Sequence, residues 1–190
     1  VASPAEMRLI RRIAPSAAMH YNNPVRARSE ILTAVELGVA SYSVDSRSEL
    51  AKLISLVPAQ GTEISVRFKL PVAGAAYNFG AKFGATVELA ADLLAMVADA
   101  GFIPSLTFHP GTQCTDPTAW EAYIRAAAEI SAMAGVRIAR LNVGGGFPSH
   151  RLNEIEPQLE AIFRLIDTVA TEAFGADRPA LVCEPGRGLC

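Results

Sequence analysis

The chain has 190 residues, of which 51 % are apolar and 19 % are charged, and its formal net charge is −2. This composition is typical of one globular domain with enough apolar surface for a core. The balanced charge argues against a nucleic-acid partner, and no apolar run is long enough to span a bilayer. The three cysteines are widely spaced and indicate neither a disulfide framework nor a zinc site. We expect a cytoplasmic protein without a metal ion.

Short apolar runs alternate with amphipathic stretches along the chain. The first helix is expected to begin where Ser3, Pro4 and Glu6 supply an N-cap, a first-turn proline and a capping-box carboxylate. The predicted helices cover residues 4–13, 27–37, 46–56, 87–100, 117–134 and 155–174. The predicted strands cover residues 17–20, 39–44, 63–70, 104–108, 137–143 and 180–183.

Regular alternation of strand and helix favours parallel strands joined by helical crossovers. The strands read as nearly continuous apolar runs, which is expected when both faces of a sheet are buried. An open doubly wound sheet and a closed barrel both fit this pattern. Six units fall short of the eight in a (β/α)8 barrel, so a barrel would be incomplete here. The long loop of small residues at 71–84 is of a kind that is often functional.

The polar and glycine-rich motifs follow strands, at the edge where parallel α/β folds bind ligands. His109, in the segment FHPGTQC, either stacks on an aromatic ligand, acts as an acid or base, or merely hydrogen-bonds a loop. Gly144, Gly145 and Gly146 lack Cβ atoms, so their N–H groups can approach an anion such as phosphate; the alternative is a flexible turn. Their spacing matches neither a Walker loop nor the dinucleotide fingerprint.

Glu184 and Arg187 stand together in the last motif, EPGR. They form either a plain ion pair or two separate ligands, the carboxylate for a basic ring nitrogen and the guanidinium for a phosphate. Together with His109 and the glycines, they favour a ligand that has a phosphate, an aromatic ring and a ring nitrogen. Pyridoxal phosphate has all three, and a carboxylate facing its nitrogen would keep the ring protonated and able to accept electrons from the substrate.

Several segments resemble, in the same order, motifs of the ornithine and diaminopimelate decarboxylase family. FHPGTQCTDP resembles FHxGSxCxD, NVGGGFPS resembles DxGGGFP, and EPGR is shared. KFGAT resembles a KFG motif, and VRFKL resembles the arginine-bearing strand before it. Upstream, VASPAEMRLI resembles a segment that reads CASxxEI. The stretch from MHYNNPVR to SRSEL resembles a region that carries NPxK or HGNNKS, then a helix, then a DS…EL motif. The resemblance runs along the whole chain.

This resemblance implies a pyridoxal phosphate enzyme of fold type III, with an alanine-racemase-like (β/α)8 TIM barrel. His109 would stack on the cofactor ring and Glu184 would pair with the ring nitrogen, and both would be catalytic. The remaining implied cofactor-binding residues are Thr112 in place of the usual serine, Gly144, Gly145, Gly146, Gly186, Arg187, Arg67 and Lys82.

The family's Schiff-base lysine lies on its first strand, and none of Lys52, Lys69 and Lys82 fits that motif. We therefore expect residues 1–190 to be a partial barrel domain of about six βα units, without the N-terminal strand or strands and the C-terminal β-domain. Such a piece would be inactive alone. Arg26 stands where the family commonly has a lysine.

The implied activity is decarboxylation of a basic amino acid, ornithine or lysine first, to a diamine in polyamine biosynthesis. The implied assembly is a cytoplasmic homodimer with shared active sites. Diaminopimelate or carboxynorspermidine is the alternative substrate. In another class, the protein is a decarboxylase homologue that has lost catalysis and acts in binding or regulation; the retained cofactor motifs argue against it. An unrelated phosphate-binding barrel enzyme is disfavoured by EPGR.

Overall fold

The computed structural model describes residues 1–70, 83–149 and 158–186. Its helices are α1 (Pro4–Ile13), α2 (Arg28–Glu36), α3 (Arg47–Leu56), α4 (Val87–Asp99), α5 (Thr118–Ala134) and α6 (Leu159–Phe174). Its strands are β1 (His20–Tyr21), β2 (Ser41–Val44), β3 (Glu63–Arg67), β4 (Ile103–Thr107), β5 (Arg140–Asn142) and β6 (Ala180–Val182). A short 3-10 helix, Gly175–Asp177, follows α6.

The helices begin where the sequence supplies a cap. The Ser3 hydroxyl accepts a hydrogen bond from the Glu6 N–H at 3.3 Å, which confirms the predicted start of α1. Ser46 and Thr86 cap α3 and α4 in the same way. These caps satisfy N–H groups that would otherwise have no partner in the first helical turn.

All six strands of the sheet are parallel, and their spatial order is β1-β2-β3-β4-β5-β6. A doubly wound sheet reverses its strand order at a switch point, whereas the strands of a (β/α)8 barrel follow chain order. The order here does not reverse, and the sheet curls into a partial barrel. The barrel interpretation of the sequence is therefore confirmed, and the carboxyl ends of all six strands lie along one edge.

The two faces of the sheet differ in chemistry. The outer face carries apolar residues that belong to the hydrophobic core, namely Tyr21, Tyr42, Val44, Ile64, Val66, Phe68, Leu106, Phe108 and Leu141. The inner face carries the alternate residues, namely His20, Ser41, Ser43, Glu63, Ser65, Arg67, Ser105, Thr107, Arg140 and Asn142. β2 is buried on both faces and β3 nearly so, whereas the residues of β6 are exposed or half-buried. The strands alternate rather than run apolar throughout.

Aromatic residues of α5 pack on the outer face near the carboxyl ends of β3, β4 and β5. The Trp120 side chain is fully buried, and its Nε1 donates to the Val143 carbonyl at 3.3 Å. Tyr123 stacks on Phe108 with ring centroids 4.6 Å apart, and its hydroxyl accepts from the Leu70 N–H at 3.0 Å. Each buried aromatic side chain contributes about 1.5–3 kcal/mol through removal from water.

Differences from the predicted boundaries are small. The first strand lies at His20–Tyr21 rather than at 17–20, and the fifth is shorter than 137–143. The last helix begins at Leu159, and residues 150–157, which include its predicted start, lie outside the described residues. Most of the predicted loop at 71–84 also lies outside them. Among the described helices, none has the length and apolar character needed to cross a bilayer.

Candidate active site at the carboxyl edge of the sheet

Three turns pack together at the carboxyl ends of β4, β5 and β6, and glycines make their close approach possible. A Cβ added to Gly144 would overlap the Phe108 carbonyl oxygen, and one added to Gly146 would overlap that of Gly111. A Cβ added to Gly145 would overlap the carbonyl oxygen of Glu184. The predicted glycine, histidine and glutamate motifs are therefore in contact with one another.

The glycine N–H groups differ in whether they have an acceptor. The Gly144 N–H donates to the Asn142 Oδ1 at 2.9 Å. Within residues 1–70, 83–149 and 158–186, no hydrogen bond is donated by the N–H of Gly145 or Gly146, and Gly145 is buried. Buried N–H groups without an acceptor are rare in folded proteins. This pair of donors fits an anionic oxygen such as that of a phosphate.

His109 follows β4 and is half-buried beside the glycine turn. Its Nδ1 accepts a hydrogen bond from the Gly111 N–H at 3.1 Å, so a neutral ring carries its proton on Nε2. Burial lowers the pKa of His109, the charge of Arg67 lowers it further, and Glu184 opposes both effects. The imidazole is therefore neutral at pH 7, and a neutral ring is suited to stacking on an aromatic ligand.

Arg67 ends β3 next to Thr107 of β4, and it is half-buried. Its guanidinium lies 5.5 Å from the centre of the Phe83 ring. Burial lowers the pKa of Arg67, and the carboxylates of Glu184 and Asp45 oppose the shift. The structure therefore places Arg67 within electrostatic reach of both His109 and Glu184, as a charge that supports the site.

Glu184 follows β6 and is exposed at the edge of the site. Its N–H donates to the Gly144 carbonyl at 2.8 Å, and its Oε1 accepts from the Asn142 Nδ2 at 2.7 Å. The side chain of Glu184 is thus bonded to the last residue of β5, and its backbone is bonded to the turn that follows. A carboxylate held in this way can bind a protonated ring nitrogen.

The loop that contains Thr112 is fastened to the glycine turn. The Cys114 N–H donates to the Gly146 carbonyl at 2.9 Å. The Gln113 Oε1 accepts from the Ser149 N–H at 3.0 Å, and Gln113 has a positive φ of 50°. Thr112 is half-buried in this loop. Its predicted role in phosphate binding stays a prediction, as do the roles of the other implied cofactor residues.

Two predicted residues, Lys82 and Arg187, lie outside the described residues. Gly186, the last described residue, has a positive φ of 54°. The structure brings together His109, Arg67, Thr112, the three glycines and Glu184.

Sequence reasoning missed several residues that border this site. Asn142 lies two residues before Gly144 and holds Glu184. Asp45 follows β2 and accepts the Gly84 N–H at 3.0 Å. Two signals were present: Asn142 takes the place of the aspartate in the DxGGGFP pattern, and Asp45 belongs to the DS…EL motif.

A polar cluster on the inner face was also missed. The His20 Nδ1 lies 2.6 Å from the Ser41 Oγ, and Arg140 lies 3.4 Å from the His20 Nε2 and 3.2 Å from a Glu63 oxygen. These side chains border a cavity of about 390 Å³ that also reaches Asn142 and Glu184. A strand pattern read as apolar conceals such inward-facing polar residues, because only every second residue faces inward.

Comparison with known proteins assigns the chain to a family. The model of the family "Pyridoxal-dependent decarboxylase, pyridoxal binding domain" matches residues 1–190. The chain belongs to this family. It is 32 % identical over 199 residues to the lysine/ornithine decarboxylase of Selenomonas ruminantium, covering 100 % of this chain and 49 % of the relative. The chain thus spans about half the length of the curated relatives it matches.

Solved structures share the fold. Lysine decarboxylase from Selenomonas ruminantium superposes with a TM-score of 0.86 at 30 % identity, covering 100 % of this chain and 50 % of that one. The arginine decarboxylase of Paramecium bursaria Chlorella virus superposes with a TM-score of 0.83 at 25 % identity, covering 98 % and 50 %. The predicted family, the barrel fold and the cofactor class are confirmed. The donor set described above fits pyridoxal phosphate.

Proposed function

We propose that this chain is the cofactor-binding part of an enzyme that decarboxylates a basic amino acid with pyridoxal phosphate. The observation that carries the proposal is the placement of Glu184: its carboxylate accepts from Asn142, its N–H donates to the Gly144 carbonyl, and it lies within electrostatic reach of His109. When bound, pyridoxal phosphate supplies an electron sink for the electron pair that remains when CO2 leaves.

Each residue of the site has a role in this proposal. Glu184 holds a proton at the ring nitrogen and so preserves the electron sink. His109 stacks on the ring and fixes its plane. The N–H groups of Gly145 and Gly146, together with Thr112 and Arg187, bind the phosphate. Arg67, Lys82 and Gly186 complete the cofactor contacts.

The names of the relatives support lysine or ornithine as the substrate. The curated relative is called a lysine/ornithine decarboxylase, and structures of the decarboxylase SrLDC are described in complex with PLP and with PLP and cadaverine. A neighbour of similar fold is an arginine decarboxylase, which supports the wider class of basic amino acids. We take ornithine or lysine first, with diaminopimelate or carboxynorspermidine as alternatives.

We also propose that the working enzyme has a further β-domain, supplies a Schiff-base lysine from an additional strand, and acts as a cytoplasmic homodimer with shared sites. Half-length coverage of the relatives supports the additional domain. Light scattering of the complete protein tests the assembly, and a monomer at working concentration would contradict it.

The experiment is uptake of pyridoxal phosphate, followed by visible absorbance, and CO2 release from lysine, ornithine, arginine and diaminopimelate. We expect Glu184→Gln to cut turnover by roughly 100-fold or more while the cofactor still binds, because the amide cannot keep the ring nitrogen protonated. Glu129→Gln, an exposed change on α5, is the matched control. Failure of the complete protein to take up the cofactor would refute the proposal; uptake without CO2 release would favour a non-catalytic homologue.

A further inference from the structure

Asn142 joins three parts of the site through its side chain and its backbone carbonyl. Its Oδ1 accepts the Gly144 N–H at 2.9 Å, and its Nδ2 donates to the Glu184 Oε1 at 2.7 Å. The Asn142 carbonyl accepts the Phe108 N–H at 3.1 Å, one residue before His109. This residue therefore contacts the glycine turn, the carboxylate and the segment that leads from β4 to His109.

The two side-chain contacts fix the orientation of the amide. If the amide were flipped, its NH2 group would face the Gly144 N–H and its oxygen would face the Glu184 carboxylate, so both hydrogen bonds would be lost. Only a side chain with an acceptor on one branch and a donor on the other satisfies both partners. Asparagine meets this requirement, and aspartate does not unless it is protonated.

We propose that Asn142 is a positioning residue that holds the Glu184 carboxylate through a neutral donor. The inference rests on the proposed function. By engaging Oε1, Asn142 leaves Oε2 as the oxygen available to a ring nitrogen. Within the described part of the chain, Oε1 is the atom of Glu184 that accepts a side-chain hydrogen bond.

An aspartate in this place would behave differently with pH. Its second oxygen would face the Glu184 Oε1 at hydrogen-bond distance, and two carboxylates this close share one proton. While that proton is retained, the pair is hydrogen-bonded and the geometry survives. Once the proton is lost at higher pH, the two carboxylates repel and Glu184 moves.

The test is Asn142→Asp in the complete protein, with turnover measured between about pH 6 and pH 9 as a ratio to the parent. We expect the ratio to fall by roughly 10-fold or more as pH rises through the titration of the shared proton. The matched control is Asn23→Asp, whose Oδ1 accepts the Val25 N–H at 3.3 Å, a contact that aspartate preserves. An unpaired aspartate is ionised throughout this range, so the ratio for Asn23→Asp stays flat.

A second readout needs no cofactor. The melting temperature of the cofactor-free Asn142→Asp protein should fall further below that of the parent as pH rises. The carboxyl pair should hold its proton more tightly in the folded state than in the unfolded chain. The free energy of unfolding then falls as pH rises from the unfolded-state pKa through the folded-state pKa. Asn142→Ala removes the donor without adding charge, so its turnover should fall by about 10-fold at every pH, with KM for the substrate unchanged.

The outcomes separate the two proposals. If the parent takes up no pyridoxal phosphate, the proposed function fails, and the melting series still tests the contact. If the parent decarboxylates and the Asn142→Asp ratio is flat with pH, the positioning role is overturned while the function stands. Should Asn142→Asp not fold at any pH, full turnover in Asn142→Ala would overturn the role, and the 10-fold loss with unchanged KM would support it.

Discussion

The outer and inner faces of the sheet differ in what they contribute to the protein: apolar packing on one, and polar groups around a cavity on the other. The outer face is apolar and packs on helices; Trp120 and the stacked pair Phe108 and Tyr123 are buried there. The inner face carries paired polar groups such as Arg140 and Glu63, and it borders an open cavity. Substitution on the outer face should therefore cost mostly stability, and substitution on the inner face mostly activity.

At the carboxyl edge of the sheet, stability and activity depend on the same residues. Gly144, Gly145 and Gly146 are needed for packing, because a Cβ at any of them would overlap a backbone carbonyl. Gly145 and Gly146 also present N–H groups to the candidate phosphate position. Stability and binding depend there on one structural feature, so the contrast between the faces can be tested quantitatively in three places.

The largest effect is expected on the outer face. Trp120→Ala removes a fully buried indole and its hydrogen bond to Val143, so the free energy of unfolding should fall by about 3–5 kcal/mol. Chemical denaturation of the complete protein measures this. Glu184→Gln, at the exposed end of the site, should change the free energy of unfolding by less than about 1 kcal/mol while abolishing most turnover. Equal losses of stability in the two variants would break the distinction between the faces.

An intermediate effect is expected at the glycine turn. Gly146 has a φ of 77°, and an added Cβ would overlap the Gly111 carbonyl oxygen, so Gly146→Ala should lose about 2–4 kcal/mol of stability and bind pyridoxal phosphate more weakly. Gly135→Ala is the matched control. Gly135 has a similar φ of 64° but open space around it, so only the backbone strain of about 1 kcal/mol should remain. Chemical denaturation measures the loss of stability, and cofactor titration measures the loss of affinity. Equal losses in Gly146→Ala and Gly135→Ala would contradict a role for the close contact with Gly111.

The separation of the faces also explains what could be predicted from the sequence. Helix boundaries were predicted to within a few residues where a cap such as Ser3 or Thr86 marks the first turn. Short motifs at strand ends predicted that His109, the glycines and Glu184 would meet, since parallel strands bring their carboxyl ends to one edge. The inner polar contacts were not predicted, because Arg140 and His20 are 120 residues apart and meet only when the sheet curls.

The smallest expected effect concerns the pH dependence of stability, and it compares His109 at the carboxyl edge with His20 in the cavity. Burial lowers the pKa of His109 at the edge and of His20 in the cavity, while the ordinary value holds in the unfolded chain. The unfolded state therefore binds more protons, and stability is lost as pH falls through the unfolded value of about 6.5. His109→Gln should reduce the drop in melting temperature between about pH 7 and pH 5. Because His109 is the more deeply buried of the two, we expect His20→Gln to reduce the drop less, and the reverse order would place the stronger burial in the cavity.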